Sequence, residues 1–137
     1  MDEPKRELVR NWLIRAERDL LAAQKLSAEP NPSLDTAIFH CQQAAEKAIK
    51  GFLVLHDKRF EKTHDITVLV NLAMPFNNGF SSWLDAGERL TPYAVAFRYP
   101  GDVLEPEQEE FDQALKAARG VYSFVLSLLP KEVHPSF

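Results

Sequence analysis

Residues 38–55 read IFHCQQAAEKAIKGFLVL. At about 100° per residue, Ile38, Cys41, Ala45, Ala48, Phe52 and Leu55 share one side of a helix, and His40, Gln43, Lys47 and Lys50 fall nearly opposite. Phe39, Ile49 and Leu53 widen the apolar arc beyond the stripe of roughly 100° that a surface helix carries. A helix so broadly apolar packs against neighbours on more than one side. The spacing therefore predicts the centre of a helical bundle, with a polar stripe along it as a candidate binding surface. Cys41, the only cysteine, lies on the apolar side, where a free thiol acts as a small hydrophobe. Its solitude excludes an internal disulfide and a Cys-rich zinc site.

The chain on either side continues the helical pattern. Val9, Leu13, Ala16, Leu20 and Ala23 mark the buried face of a first helix over about Lys5–Ser27, with Pro4 suited to its first turn. Glu29-Pro30-Asn31-Pro32-Ser33 breaks the chain, and Ser33 is placed to cap the second helix, which runs to about His56. A charged connection, Asp57–Thr63, leads to a third helix capped by Thr63, with Ile66, Leu69, Val70 and Ala73 on one face. Pro75 and Asn77-Asn78-Gly79 end it in a turn. Ser81 or Ser82 is expected to cap a fourth segment that begins at Trp83, kinks at Thr91-Pro92 and continues to Arg98. Tyr99-Pro100-Gly101-Asp102 stops it. A last helix over Pro106–Leu129 opens with Glu107, Glu109 and Glu110 at its positive end. The reading is all-α: an antiparallel up-and-down bundle of about five helices in one domain over residues 1–130, with Lys131–Phe137 as a loose tail.

Composition narrows the function. With 137 residues, 45% of them hydrophobic and 26% charged, the chain fits one globular domain. No apolar run reaches the roughly 20 residues of a membrane span. The charged start, MDEPKRELVRN, has no signal-peptide pattern, so a cytoplasmic protein without a membrane partner is expected. A net charge of −4 argues against a freestanding binder of long nucleic acid and makes RNA the less favoured partner. It leaves a small nucleotide ligand open.

Three clusters carry side chains with chemistry. Gln42-Gln43-x-x-Glu46-Lys47-x-x-Lys50 offers amides for base edges and lysines for phosphate; Glu46 and Lys50 are also spaced as a helix-stabilising ion pair. Thr63-His64-Asp65 reads first as a helix start, with Thr63 as cap, Asp65 as first-turn charge and His64 packed or hydrogen-bonded in the core, and second as part of a site. In Tyr93–Gly101, Arg98 either closes a helix or forks onto a phosphate, with Tyr93 or Tyr99 offering a ring for stacking. There is no phosphate-cradling glycine loop, HExxH or nucleophile elbow. His40, His56, His64 and His134 are too scattered for metal-ligand spacing, so neither a metal nor a cofactor is expected.

FHCQQAAEKAIKGFL at 39–53, THDITVL at 63–69 and YAVAFRYPG at 93–101 occur in this order. Together they resemble the HEPN domain family (higher eukaryotes and prokaryotes nucleotide-binding), over about Val9–Leu129. The resemblance implies a helical bundle that forms homodimers. Many small prokaryotic members are encoded beside a minimal nucleotidyltransferase, in pairs that look like toxin–antitoxin systems, where the HEPN chain is thought to bind a nucleotide or substrate. Other members are metal-independent ribonucleases carrying an Arg-x4–6-His motif late in the bundle. This chain departs from that motif, because Arg98 is followed by Tyr99, Pro100, Gly101, Asp102, Val103, Leu104 and Glu105. Arg98 alone is a poor proton shuttle. The literal match Arg59-Phe60-Glu61-Lys62-Thr63-His64 sits between the second and third helices, away from the family's position for the motif.

Taken together, the reading is a non-catalytic nucleotide- or substrate-binding subunit working with a minimal nucleotidyltransferase. Arg98 would hold phosphate, Tyr93 or Tyr99 would stack, and Gln43, Lys47 and His64 would line the groove. No catalytic residue is assigned. The alternatives are a metal-independent ribonuclease toxin with a composite site, such as Arg98 with His64, and a structural dimeric adaptor whose polar stripe is a seam.

Overall fold

The computed structural model describes residues 1–100 and 104–136. Gly101, Asp102, Val103 and Phe137, including the end of the Tyr93–Gly101 motif, the predicted stop at Gly101-Asp102 and the end of the tail, lie outside the described residues. Among those described there are five α-helices and no strand: α1 Glu3–Leu26, α2 Leu34–Leu55, α3 Ile66–Ala73, α4 Leu84–Leu90 and α5 Gln108–Leu128. Short 3-10 helices cover Asn78–Trp83, Thr91–Ala94 and Lys131–Val133. The protein is an all-α bundle, and no helix of the described residues is long and apolar enough to cross a membrane.

The wide apolar arc of α2 places it at the centre, between α1, α5 and α3. Ala37, Ala44, Ala45 and Ala48 of α2 and Ala16 and Ala23 of α1 are fully buried, and side chains this small let the helix axes approach closely. Gly51 marks the tightest point: a Cβ there would meet the Trp12 Cβ at 3.1 Å. Trp12 beside Gly51, and Asp19 beside His40, show that α1 and α2 run antiparallel. Tyr122 donating to Glu17 at 2.8 Å, with Arg10 reaching the carbonyl of Glu132 just beyond the end of α5 at 2.7 Å, sets α5 antiparallel to α1. Phe52 and Phe80, both buried and 4.7 Å apart between ring centroids, anchor the core under α3. Full burial of such a ring contributes about 1.5–3 kcal/mol. Cys41 is buried, and that burial pushes its thiol up to about 12.

Several local expectations change. The cap of α3 is Asp65, whose Oδ1 accepts from Thr67 N and Val68 N at 2.9 and 3.3 Å. Thr63 instead accepts from Asp65 N and holds the approach to the helix. Ser33 occupies the cap position of α2 without a side-chain cap bond. Ser81 and Ser82 lie inside the 3-10 helix that starts at Asn78, where Asn77 Oδ1 accepts from Gly79 N. α4 stops at Leu90 because Pro92 cannot donate its backbone nitrogen; Thr91 Oγ1 donates to Gly87 O at 2.7 Å and accepts from Ile66 N at 3.1 Å. Arg98 therefore sits beyond a turn, four residues past the last helical residue, not at a helix end. The tail is packed as far as His134: Val133 is fully buried, and His134 Nε2 donates to the carbonyls of Leu126 and Leu129.

Candidate functional site

The polar side of α2 is organised by two carboxylates. Glu46 is buried and accepts from Lys50 Nζ at 2.9 Å, His64 Nδ1 at 2.9 Å and Gln42 Nε2 at 3.1 Å. Burial pushes its carboxyl up, but the hydrogen bonds from Lys50, His64 and Gln42 and the charge of Lys50 outweigh that and hold it below the ordinary carboxylate range. The Lys50 ammonium faces the rings of Trp12 and Phe60, 5.8 and 5.6 Å from their centroids, and Gln42 also donates to the His64 carbonyl at 2.8 Å. Gln42, Glu46 and Lys50 are thus interior groups that fix the loop carrying His64, not parts of an exposed ridge. The predicted Glu46–Lys50 pair forms, but away from water.

Asp19 of α1 heads the second cluster. It accepts from His40 Nδ1 at 2.8 Å and from Lys47 Nζ at 2.7 Å. In both clusters the carboxylate fixes Nδ1 as the protonated nitrogen, so in the neutral ring Nε2 is the free acceptor. The side chain of His64 remains 61% exposed.

Arg98 lines one cavity with His40 and another with His64. Its guanidinium carbon stands 3.8 Å from the centroid of the Phe39 ring, a contact that orients a cation without neutralising it. Among the described residues its side chain has no hydrogen-bond partner. The chain reaches this position through Phe97, whose φ of 66° is rare for a bulky residue. Phe97 stacks on Tyr93 with centroids 6.2 Å apart and planes 16° from parallel. Tyr93 is itself buried and donates to Glu110 at 2.5 Å; burial and that bond push its hydroxyl well above the ordinary range.

A cavity of about 490 Å³ opens on one side of the Arg98–Phe39 stack, lined by Gln43, His64, Ala94, Val95 and Tyr99 beside the stack itself. Its volume falls within the range of small-molecule sites. Four of the predicted residues, Gln43, His64, Arg98 and Tyr99, meet here from three separate segments. Gln43 donates through Nε2 to Gln42 Oε1 at 2.6 Å, which leaves its own Oε1 to accept from a guest. Tyr99 is 70% exposed. The other two predicted residues act elsewhere: Lys47 turns to Asp19, and Tyr93 lies beneath Phe97. The sequence pattern places Phe39 in the apolar arc of α2 and points to no site role for Phe97 or Asp19. Asp19 carried a signal, as a charge beside Ala16, Leu20 and Ala23 in the apolar stripe of α1; Phe39 reads as packing, and the sequence leaves Phe97 unplaced.

The family model for the HEPN domain matches residues 9–129. Among solved structures, the crystal structure of ST0689, an archaeal HEPN homologue, is similar at a TM-score of 0.67 and 26% sequence identity, covering 88% of this chain and 96% of that one. Comparison with curated proteins yields no match. With the matched region running from the first turns of α1 to the end of α5, the chain belongs to the HEPN domain family.

Proposed function

We propose that this chain binds a nucleotide or a related phosphorylated ligand in the cavity beside Arg98, as a non-catalytic subunit. The reading rests on one observation: Gln43, His64, Arg98 and Tyr99 surround one cavity of about 490 Å³ together with the Phe39 ring. Arg98 holds phosphate through its planar fork of donors. Tyr99 supplies a ring for stacking, and Gln43 Oε1 and His64 Nε2 accept hydrogen bonds from base or sugar. The subunit works as a homodimer beside a minimal nucleotidyltransferase, in a toxin–antitoxin-like pair within the cytoplasm. Titration of the purified protein with AMP and ATP tests the ligand: saturable binding weakened about tenfold or more by Arg98→Ala is expected, on the scale of one charge-assisted contact. Absence of saturation, or an unchanged affinity in the variant, rejects it.

The Glu46–His64 pair favours a second reading, a metal-independent ribonuclease. A histidine oriented by a carboxylate beside an arginine is suited to move a proton at a phosphodiester. RNA incubated with the protein in chelator distinguishes the readings: cleavage lost in both Arg98→Ala and His64→Ala favours the ribonuclease, and intact RNA favours the binding subunit.

A further inference from the structure

The Arg98–Phe39 stack has a second side. There a smaller cavity of about 340 Å³ is lined by Asp35, Thr36, His40 and Phe97, with Phe39 and Arg98 again forming a wall. The two cavities therefore share one partition, made of an aromatic ring and a guanidinium held 3.8 Å apart.

Their furnishings correspond. Each has one ring besides Phe39, Phe97 in the smaller cavity and Tyr99 in the larger. Each has one histidine whose Nδ1 is held by a nearly buried carboxylate, Asp19 for His40 and Glu46 for His64. Each has groups suited to hydroxyl or amino partners, Asp35 and Thr36 on one side and Gln43 on the other. Among the described residues lining either cavity, Arg98 is the only lysine or arginine.

The charges limit what can bridge them. One cation on the shared wall matches one phosphate. Asp35 in the smaller cavity opposes a second anion there but accepts hydrogen bonds from a sugar hydroxyl or an exocyclic amine. Accordingly, we infer that the smaller cavity is a second subsite, and that the ligand is a dinucleotide unit: two nucleosides, one in each cavity, joined by a single phosphodiester over Arg98. The inference rests on the binding role of the larger cavity proposed above. The turn at Phe97 supports it, since it places Phe97 in the smaller cavity and brings the next residue, Arg98, onto the partition.

Equilibrium titration with 2′-O-methyl adenylyl-(3′→5′)-adenosine, which cannot be cleaved by its own 2′-oxygen, tests this against 5′-AMP and 3′-AMP. Joining two occupied subsites raises affinity without new contacts, so the dinucleoside is expected to bind at least about tenfold more tightly than either mononucleotide. Thr36→Trp, which fills the smaller cavity from the exposed first turn of α2, and His40→Ala each bring the ratio of the two affinities toward one. Equal affinities in the wild type, or a ratio untouched by both variants, overturn the second subsite alone. Failure of the dinucleoside and both mononucleotides to bind overturns the proposed function and this inference together.

Discussion

Asp19 and Glu46 head two clusters built from the same three groups. Each carboxylate accepts from a histidine Nδ1 and from a lysine ammonium on α2, with all four distances between 2.7 and 2.9 Å. The carboxylate–lysine pairs at their centres differ in access to water, chiefly at the lysine. Lys47 keeps 24% of its side-chain surface exposed, whereas Lys50 keeps 7% and faces two aromatic rings. Similar pairing distances therefore occur in different surroundings. In the dry cluster each charge depends on the other, because neither can turn to solvent. In the wetter one the lysine can exchange its partner for water at little cost. The dry cluster fixes the loop that bears His64, and the wet one orients His40 at the rim of the smaller cavity.

Breaking the dry cluster gives the largest expected effect. Glu46→Ala strands Lys50 and releases Gln42 and His64, and a loss of about 3–5 kcal/mol in unfolding free energy is expected, read by urea denaturation at pH 7. Asp19→Ala is expected to cost only about 1–2 kcal/mol in the same measurement, since Lys47 can reach solvent and a charge-assisted hydrogen bond is the main loss. A similar cost for the two substitutions would show that burial does not separate the clusters.

The same contrast explains what could be read before folding. The helices around the core were legible, because alternation at 3.6 residues records burial directly: Val9, Leu13, Ala16 and Ala23 of α1 and Ile38, Cys41, Ala45, Ala48 and Phe52 of α2 are all inside. The polar side of α2 was legible only in part. Periodicity places Gln43, Lys47 and Lys50 on one side, yet the angle about the axis does not tell whether Trp12 and Phe60 will close over Lys50. Burial of a polar residue is decided by neighbours distant in sequence, and so was the choice of Asp19 as partner of Lys47. The turn after Ala94 was hidden for another reason. Tyr93–Arg98 has no glycine to announce a positive φ, and Phe97 adopts one nonetheless, which moves Arg98 off the expected helix end and onto Phe39. Of the six residues assigned to a groove, four converge on the larger cavity, whereas Lys47 pairs with Asp19 and Tyr93 with Glu110.

Acid gives the smallest and most specific probe of the dry cluster. The Glu46 carboxyl is held below its ordinary range in the folded chain, so the unfolded state takes up its proton first as pH falls. The stability it contributes is complete above the unfolded value of about 4.3 and is lost as pH drops toward and through the lower folded value. Replacing the whole pair by apolar side chains, Glu46→Leu with Lys50→Met, removes the titrating group while avoiding a stranded charge, and at pH 7 the change is expected to stay within about 1–2 kcal/mol of the wild type. Urea denaturation of both proteins between pH 7 and pH 3 should then show a shallower acid decline in the double variant. Equal declines would place the decisive proton uptake on other carboxylates. Glu46 would then hold His64 in place without setting the acid limit of the fold.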